Sequence, residues 1–268
     1  MKLYIGKFRG VFFAFQVSVF LLFLSLFSHA STAQQSDSLR VLFIGNSYTY
    51  YWNLPQVVSK MAESRGEVVL SKKSTLGGSS LKQHWNSYRG LKSRKMVEDS
   101  SWDIVILQNH SRSTLDSLAD FMNYGTKWID WINKMNAAPI LYMTWAREFN
   151  PMMQDAIANG YDSLAGQSGA KLSPVGLVWK QARTLRPDLD LFDSDGSHPS
   201  PIGTYLTACV LYRTITGNSV KGLPVRLTDI DKGGESFFLM ALSAEDGEFI
   251  QDLVDAMMEE WEKQVDEN

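Results

Sequence analysis

The sequence predicts an α/β fold, a three-layer α/β/α sandwich around a central parallel sheet. Three observations predict it. Short apolar runs rich in β-forming residues alternate with longer segments of helical periodicity. Glycines and small polar residues close several of those runs. Ser47, Gly78, Gln108 and Trp145 each fall just after a strand signal, and open parallel sheets build their sites at the carboxyl ends of strands.

Taken in order, Arg40 to Ile44 reads as the first strand, ending in Gly45-Asn46-Ser47. Leu54 to Arg65 reads as a helix, with Asn53 as its cap and Gly66 as its end. Val68 to Ser71 is the second strand, and Leu76 to Ser80 the glycine-rich loop after it. Helical segments follow to about Glu98. Trp102 to Leu107 is a strongly apolar third strand, Leu115 to Met135 one long helix, and Pro139 to Thr144 the fourth strand. Met152 to Ala165 is helical, and Ala182 to Leu185 lies in another short helix. Leu189 to Phe192 reads as the fifth strand. Ile202 to Ile215 is helical, with Ser200 capping and Pro201 at the first helical position. Gly217 to Phe238 is irregular and holds a loop or small hairpin. The tail from Ala244 to about Val265 is an amphipathic helix whose Phe249, Leu253, Met257 and Trp261 form a core-facing stripe. Ser243 and Asp246 have capping-box spacing. Right-handed crossovers wind such a chain into three layers.

The first 33 residues read as a signal peptide. Lys2, Lys7 and Arg9 precede an apolar stretch from about Val11 to Phe27, and small residues follow at Ser28-His29-Ala30 and Ser31-Thr32-Ala33. The alternative is an uncleaved anchor, for which the apolar run is near the lower limit of length. Export to the periplasm or beyond the cell is therefore expected, with residues 34–268 as one domain. Removing the three basic residues takes the net charge from −3 to −6, a poor balance for binding nucleic acid. Cys209 is the only cysteine, so no intrachain disulfide forms. It falls in an apolar helical pattern and reads as packing.

Two segments carry chemistry. Ser47 presents a hydroxyl between a strand end and a helix start. There backbone N–H groups point outward and favour negative charge. Asp195-Gly196-Ser197-His198-Pro199 places an acid three residues before an imidazole. A residue before proline is held out of the helical region, so His198 precedes the helix that starts at Ser200. Asp195 is then in reach of one ring nitrogen, leaving the other to take a proton from Ser47.

These blocks resemble those of the SGNH (GDSL-type) hydrolase superfamily, in its secreted bacterial esterase-like branch. The resemblance spans roughly Val41 to Gly217. It implies a flavodoxin-like α/β/α sandwich and metal-independent hydrolysis of esters, with no cofactor. Gly45-Asn46-Ser47 matches the block of the nucleophile, Gly77-Gly78-Ser79-Ser80 the block of an oxyanion-hole glycine, and Asp195 with His198 the last block. Ser47, His198 and Asp195 are then the triad, with Ser47 and Gly78 N–H groups in the oxyanion hole. Asn46 stands where the family often has aspartate, a change read as chemically minor. The family's Gly-x-Asn-Asp is replaced by Leu107-Gln108-Asn109-His110. Gln108 is the first choice for the third oxyanion donor, and Asn109 the second.

Aromatics cluster near the proposed site: Tyr48, Tyr50, Tyr51 and Trp52, then Trp85, then Trp145 with Arg147. Flat rings with polar tips suit a sugar, so Trp145, Arg147, His110 and Tyr48 are candidate substrate contacts. His84, His110, Asp195 and His198 match no compact metal-ligand spacing, and no dinucleotide or nucleoside-triphosphate motif follows the first strand. The expected activity is hydrolysis of a small acyl ester, acetyl first, on a carbohydrate. The alternatives are a lipid ester or thioester hydrolase and a non-catalytic glycan-binding module. No stable membrane insertion is expected once the signal is removed.

Overall fold

The computed structural model describes residues 38–267. The signal-peptide assignment lies outside them. Among the described residues, no helix is long and apolar enough to cross a membrane.

Five parallel strands form the central sheet: β1 (Leu39–Gly45), β2 (Val69–Thr75), β3 (Ile104–Leu107), β4 (Ala138–Tyr142) and β5 (Lys171–Ser173). Their spatial order is β2-β1-β3-β4-β5. The winding therefore reverses between β1 and β3, which opens a crevice at their carboxyl ends. Alternation along the strands assigns the two faces. Val41 and Phe43 of β1 point into one core, with Ile106 of β3 and Tyr142 of β4. Leu42, Ile44, Val105 and Leu141 point into the other.

Helices cover both faces. On the first lie α2 (Leu54–Glu63), α8 (Val175–Leu185), α9 (Pro201–Thr216) and α10 (Ala244–Asp266). The second carries α3 (Leu81–Trp85), α4 (Ser93–Glu98), α6 (Leu118–Lys134) and α7 (Met153–Ser168). The expected three-layer sandwich is the observed one. Helix α9 is buried on nearly every side, as expected of an apolar helix packed between the sheet and α10. Its start is set by Ser200, whose Oγ accepts from Gly203 N–H at 3.0 Å. Cys209 is fully buried in this helix, and burial pushes its thiol well above the ordinary range. An antiparallel hairpin, β6 (Arg226–Ile230) with β7 (Ser236–Ala241), precedes α10. Ser243 caps α10 by accepting from Asp246 N–H at 3.0 Å.

Four local expectations change. The fifth strand is Lys171–Ser173, whereas Leu189 to Phe192 contributes only a bridge from Phe192 to Pro199. Asn53 does not cap α2: its backbone is left-handed, at φ 54°, and its side chain makes no capping bond. The long helix is broken at Ser117 (φ −159°, ψ 72°) into α5 (Ser113–Asp116) and α6. In α10 the fully buried line is Ile250, Val254 and Met258, with Leu253 beside it. Phe249, Met257 and Trp261 flank that line, partly buried.

Candidate active site

The site begins at Gly45, where β1 turns into the short helix α1 (Ser47–Tyr50). A Cβ on Gly45 would lie 2.5 Å from Gln108 Oε1 and closer still to Thr49 Oγ1. Only glycine lets the turn pack this tightly. Asn46 then joins three segments. Its Oδ1 accepts from Tyr48 N–H at 3.0 Å, capping α1. Its N–H donates to Gln108 Oε1 at 2.8 Å. Its Nδ2 donates to the Ser79 carbonyl at 2.9 Å, tying down the loop that carries Gly78. A carboxylate could not make that last bond, so asparagine rather than aspartate matters here, contrary to the reading from sequence.

Ser47, the first residue of α1, is 8% exposed. Its Oγ lies 2.8 Å from His198 Nε2. His198 Nδ1 lies 2.5 Å from Asp195 Oδ2. The other carboxylate oxygen of Asp195 accepts from Ser197 N–H at 2.9 Å and His198 N–H at 2.8 Å. Burial pushes the Asp195 carboxyl up, but the bonds from the His198 ring and the two N–H groups outweigh it and hold the group below its ordinary range. An ionised Asp195 requires the proton on Nδ1, which leaves Nε2 to accept from the Ser47 hydroxyl.

The loop bearing His198 is fastened from several sides. Tyr48 OH and Ser197 Oγ are 2.8 Å apart. Trp145 Nε1 donates to the Ser197 carbonyl at 3.0 Å, and Trp52 Nε1 to the Pro199 carbonyl at 2.9 Å. Glu148 N–H donates to the Gly196 carbonyl at 2.9 Å. Tyr51 stacks on the His198 ring, with centroids 4.2 Å apart and planes at 10°. The sequence placed Tyr51 only in a general aromatic cluster.

The aromatic substrate candidates fare differently. Both faces of Trp145 are covered, by Tyr48 at 4.4 Å and Trp179 at 4.0 Å. With Tyr48 at 3% exposure and Trp145 at 1%, neither offers a free face to a ligand. Both instead fasten the loop that carries His198 through Ser197, which departs from the expectation of substrate contact. Trp85 packs edge-on to Trp128 in the second core. Arg147 is half-buried, and its Nη2 donates to Ser111 Oγ at 3.2 Å.

The oxyanion assignment also shifts. Gln108 is fully buried. Its Oε1 accepts from Asn46 N–H and, at 2.9 Å, from Thr49 Oγ1, while Nε2 donates to the Asn109 carbonyl. Because Asn46 N–H can only donate, the oxygen must face it. Gln108 therefore locks the turn and does not present its amide to the site. Asn109 has the complementary arrangement. Its Oδ1 accepts from Leu81 N–H at 2.9 Å and His110 N–H at 2.8 Å. Its Nδ2 has no protein partner among the described residues and is not sealed from solvent. Asn109 is third in Leu-Gln-Asn-His, the place asparagine takes in the Gly-x-Asn-Asp pattern. Gly78 sits at φ +67°, and its N–H makes no hydrogen bond among the described residues.

From Gly78, Asn109 and His110 a groove of about 400 Å³ extends to Ser113, Asp116 and Phe121. Burial pulls the His110 imidazole below its ordinary range; Asp116 opposes this, and Arg147 and Arg112 add to it. His84 lies elsewhere, fully buried beneath the loop. Its Nε2 meets the Gly45 carbonyl at 2.9 Å and Nδ1 meets Ser93 Oγ at 2.6 Å. Burial lowers His84 to about 4, so it is a neutral structural group. Among the described residues no cluster of His, Cys, Asp and Glu is grouped to hold a metal ion.

The fold is that of the SGNH hydrolase superfamily. A putative SGNH hydrolase from Slackia heliotrinireducens is 23% identical, with TM-score 0.58, over 67% of this chain and all of its own. A DUF4886 family protein from Bacteroides uniformis ATCC 8492 is 20% identical, with TM-score 0.68, over 83% of this chain and 95% of its own. The acetyl xylan esterase AlAXEase is 16% identical, with TM-score 0.54, over 66% of this chain and all of its own. No protein-family model and no curated protein matches the sequence.

Proposed function

We propose that the protein is a serine ester hydrolase that removes a small acyl group, acetyl first, from an alcohol such as a carbohydrate hydroxyl. The observation that carries this reading is the hydrogen-bond relay from Ser47 through His198 to Asp195. Ser47 Oγ bonds to the acyl carbon as its proton passes to His198 Nε2. Asp195 stabilises the resulting imidazolium. The oxyanion is met by Ser47 N–H, Gly78 N–H and Asn109 Nδ2. His198 returns the proton to the departing alcohol oxygen, and the ester C–O bond breaks. Water then adds to the acyl-enzyme with His198 as base, releasing the acid and restoring Ser47.

The polar groove past Gly78, Asn109 and His110 supports a hydrophilic alcohol, and the shared fold of an acetyl xylan esterase agrees with it. A second reading has its own support. Phe149 and Met152 are 79% and 78% exposed, and a Cβ on Gly196 would stand 3.9 Å from the Phe149 ring. An acyl chain lying there would make the substrate a lipid ester or thioester. Hydrolysis of p-nitrophenyl acetate, butyrate and octanoate by wild type and Ser47→Ala separates the readings. Preference for acetate that vanishes in Ser47→Ala supports the first, and preference for octanoate the second. Ester hydrolysis undiminished in Ser47→Ala refutes the mechanism. Glycan binding without turnover would leave a binding module.

We also propose export, on the basic, apolar and small-residue order of the first 33 residues. Sequencing the amino terminus of protein recovered outside the cytoplasm tests it; an intact Met1 there contradicts cleavage.

A further inference from the structure

Arg147 combines features that its structural contacts leave unused. It is half-buried in the segment that follows β4, which ends at Tyr142. Among the described residues its guanidinium makes one hydrogen bond, to the neutral Ser111 Oγ, and no ion pair. Five N–H donors and a permanent charge are thus met by one hydroxyl. Partly withdrawing a cation from water is unfavourable unless an anion answers it. Some arginines here are answered by carboxylates, Arg112 by Asp116 at 2.7 Å and Arg213 by Asp255 at 3.2 Å and Glu262 at 2.9 Å, whereas Arg94 lies over the Trp85 and Trp131 rings and Arg183 donates to the Glu148 carbonyl.

The position of Arg147 is fixed relative to the triad. Trp145, two residues before it, donates to the Ser197 carbonyl, and Glu148, the next residue, donates to the Gly196 carbonyl. Both acceptors belong to the loop between Asp195 and His198. Its charge is felt by Tyr48, next to Ser47, and by His110, next to Asn109. A guanidinium without an ion pair among the described residues therefore stands near Ser111, on a segment joined to the loop that carries His198. In the proposed reaction His198, on that loop, protonates the departing alcohol. A guanidinium fork matches a planar carboxylate in two parallel hydrogen bonds.

We propose that Arg147 is a specificity-determining residue for substrates whose alcohol part carries a carboxylate, such as an acetylated uronic acid. The inference rests on the esterase reading for the identity of the alcohol, but the carboxylate site is testable without turnover.

Wild type, Arg147→Gln and Arg147→Lys are titrated calorimetrically with methyl glucuronide and methyl glucoside, then assayed for acetate release from a monoacetylated form of each. Wild type is expected to favour the glucuronide at least tenfold, in Kd and in kcat/KM. That ratio falls at least tenfold in Arg147→Gln and recovers in part in Arg147→Lys. If Arg147 only braces Ser111, Arg147→Gln lowers Tm and leaves the ratio intact, which overturns the proposal. Equal or absent binding of the two glycosides to wild type overturns it as well. Arg147-dependent preference for the glucuronide without turnover of any ester would retain the carboxylate site and refute the esterase reading. Hydrolysis of both esters without a charge preference would do the reverse.

Discussion

Ser47 and His198 are 151 positions apart in the chain, yet Ser47 Oγ lies 2.8 Å from His198 Nε2. The sheet produces this meeting. Ser47 follows β1, and the loop bearing His198 is fastened by Trp145, beyond the end of β4. If this pair acts as nucleophile and base, Ser47→Ala and His198→Ala each lower kcat on p-nitrophenyl acetate by on the order of 10⁴–10⁶. The double variant is no slower than either single one, because the two side chains act as a unit. Additive losses contradict the pairing.

The two amides after β3 have separable tasks. Asn109→Ala is expected to lower kcat by ~10²–10³, the cost of one oxyanion donor. Gln108→Ala strands the buried Asn46 N–H and Thr49 hydroxyl. It is expected to cost about 1–3 kcal/mol of stability. Thermal melts and kinetics on both variants check the division; a stable Gln108→Ala with the larger kcat defect reverses it.

Asn46→Asp keeps the Oδ1 cap on α1 but loses the bond from Nδ2 to the Ser79 carbonyl. It also sets a negative charge against that carbonyl. A loss of ~1–3 kcal/mol is expected, with a fall in kcat as the Gly78 loop loosens. Unchanged melting and kinetics would show that this tether is dispensable.

His84 gives the fold a pH dependence. Its folded-state value is about 4, against 6.5 in the unfolded chain. Between these values the unfolded state binds the extra proton, so stability rises with pH across that window. Its contribution is complete above pH 6.5 and declines by ~3 kcal/mol as pH falls to about 4. His84→Gln should be less stable at pH 7 and should flatten the slope of Tm against pH between 4 and 6.5. An unchanged slope contradicts the assignment.

Much of this was legible in the sequence. The first four strands and their alternation with helices followed from apolar runs and helical periodicity, and the pairing of Asp195 with His198 from a three-residue spacing. Other features depend on contacts that no local pattern carries. Lys171-Leu172-Ser173 has one apolar side chain, too few to announce a strand. Leu189 to Phe192 is apolar because it packs; Phe192 lies edge-on to Trp179 at 5.1 Å. Trp145 reads as an exposed sugar platform until Trp179, 34 positions on, covers its face. The inward turn of Gln108 follows from where Asn46 N–H points, a consequence of the turn at Gly45.

The central claim is that Ser47 is the nucleophile, and trapping it covalently tests this most directly. Wild type is treated with a fluorophosphonate and the labelled peptide is identified by mass spectrometry. The account predicts one adduct, on Ser47, lost in His198→Ala. A label on a different serine, or no label on protein that still turns over esters, would contradict it.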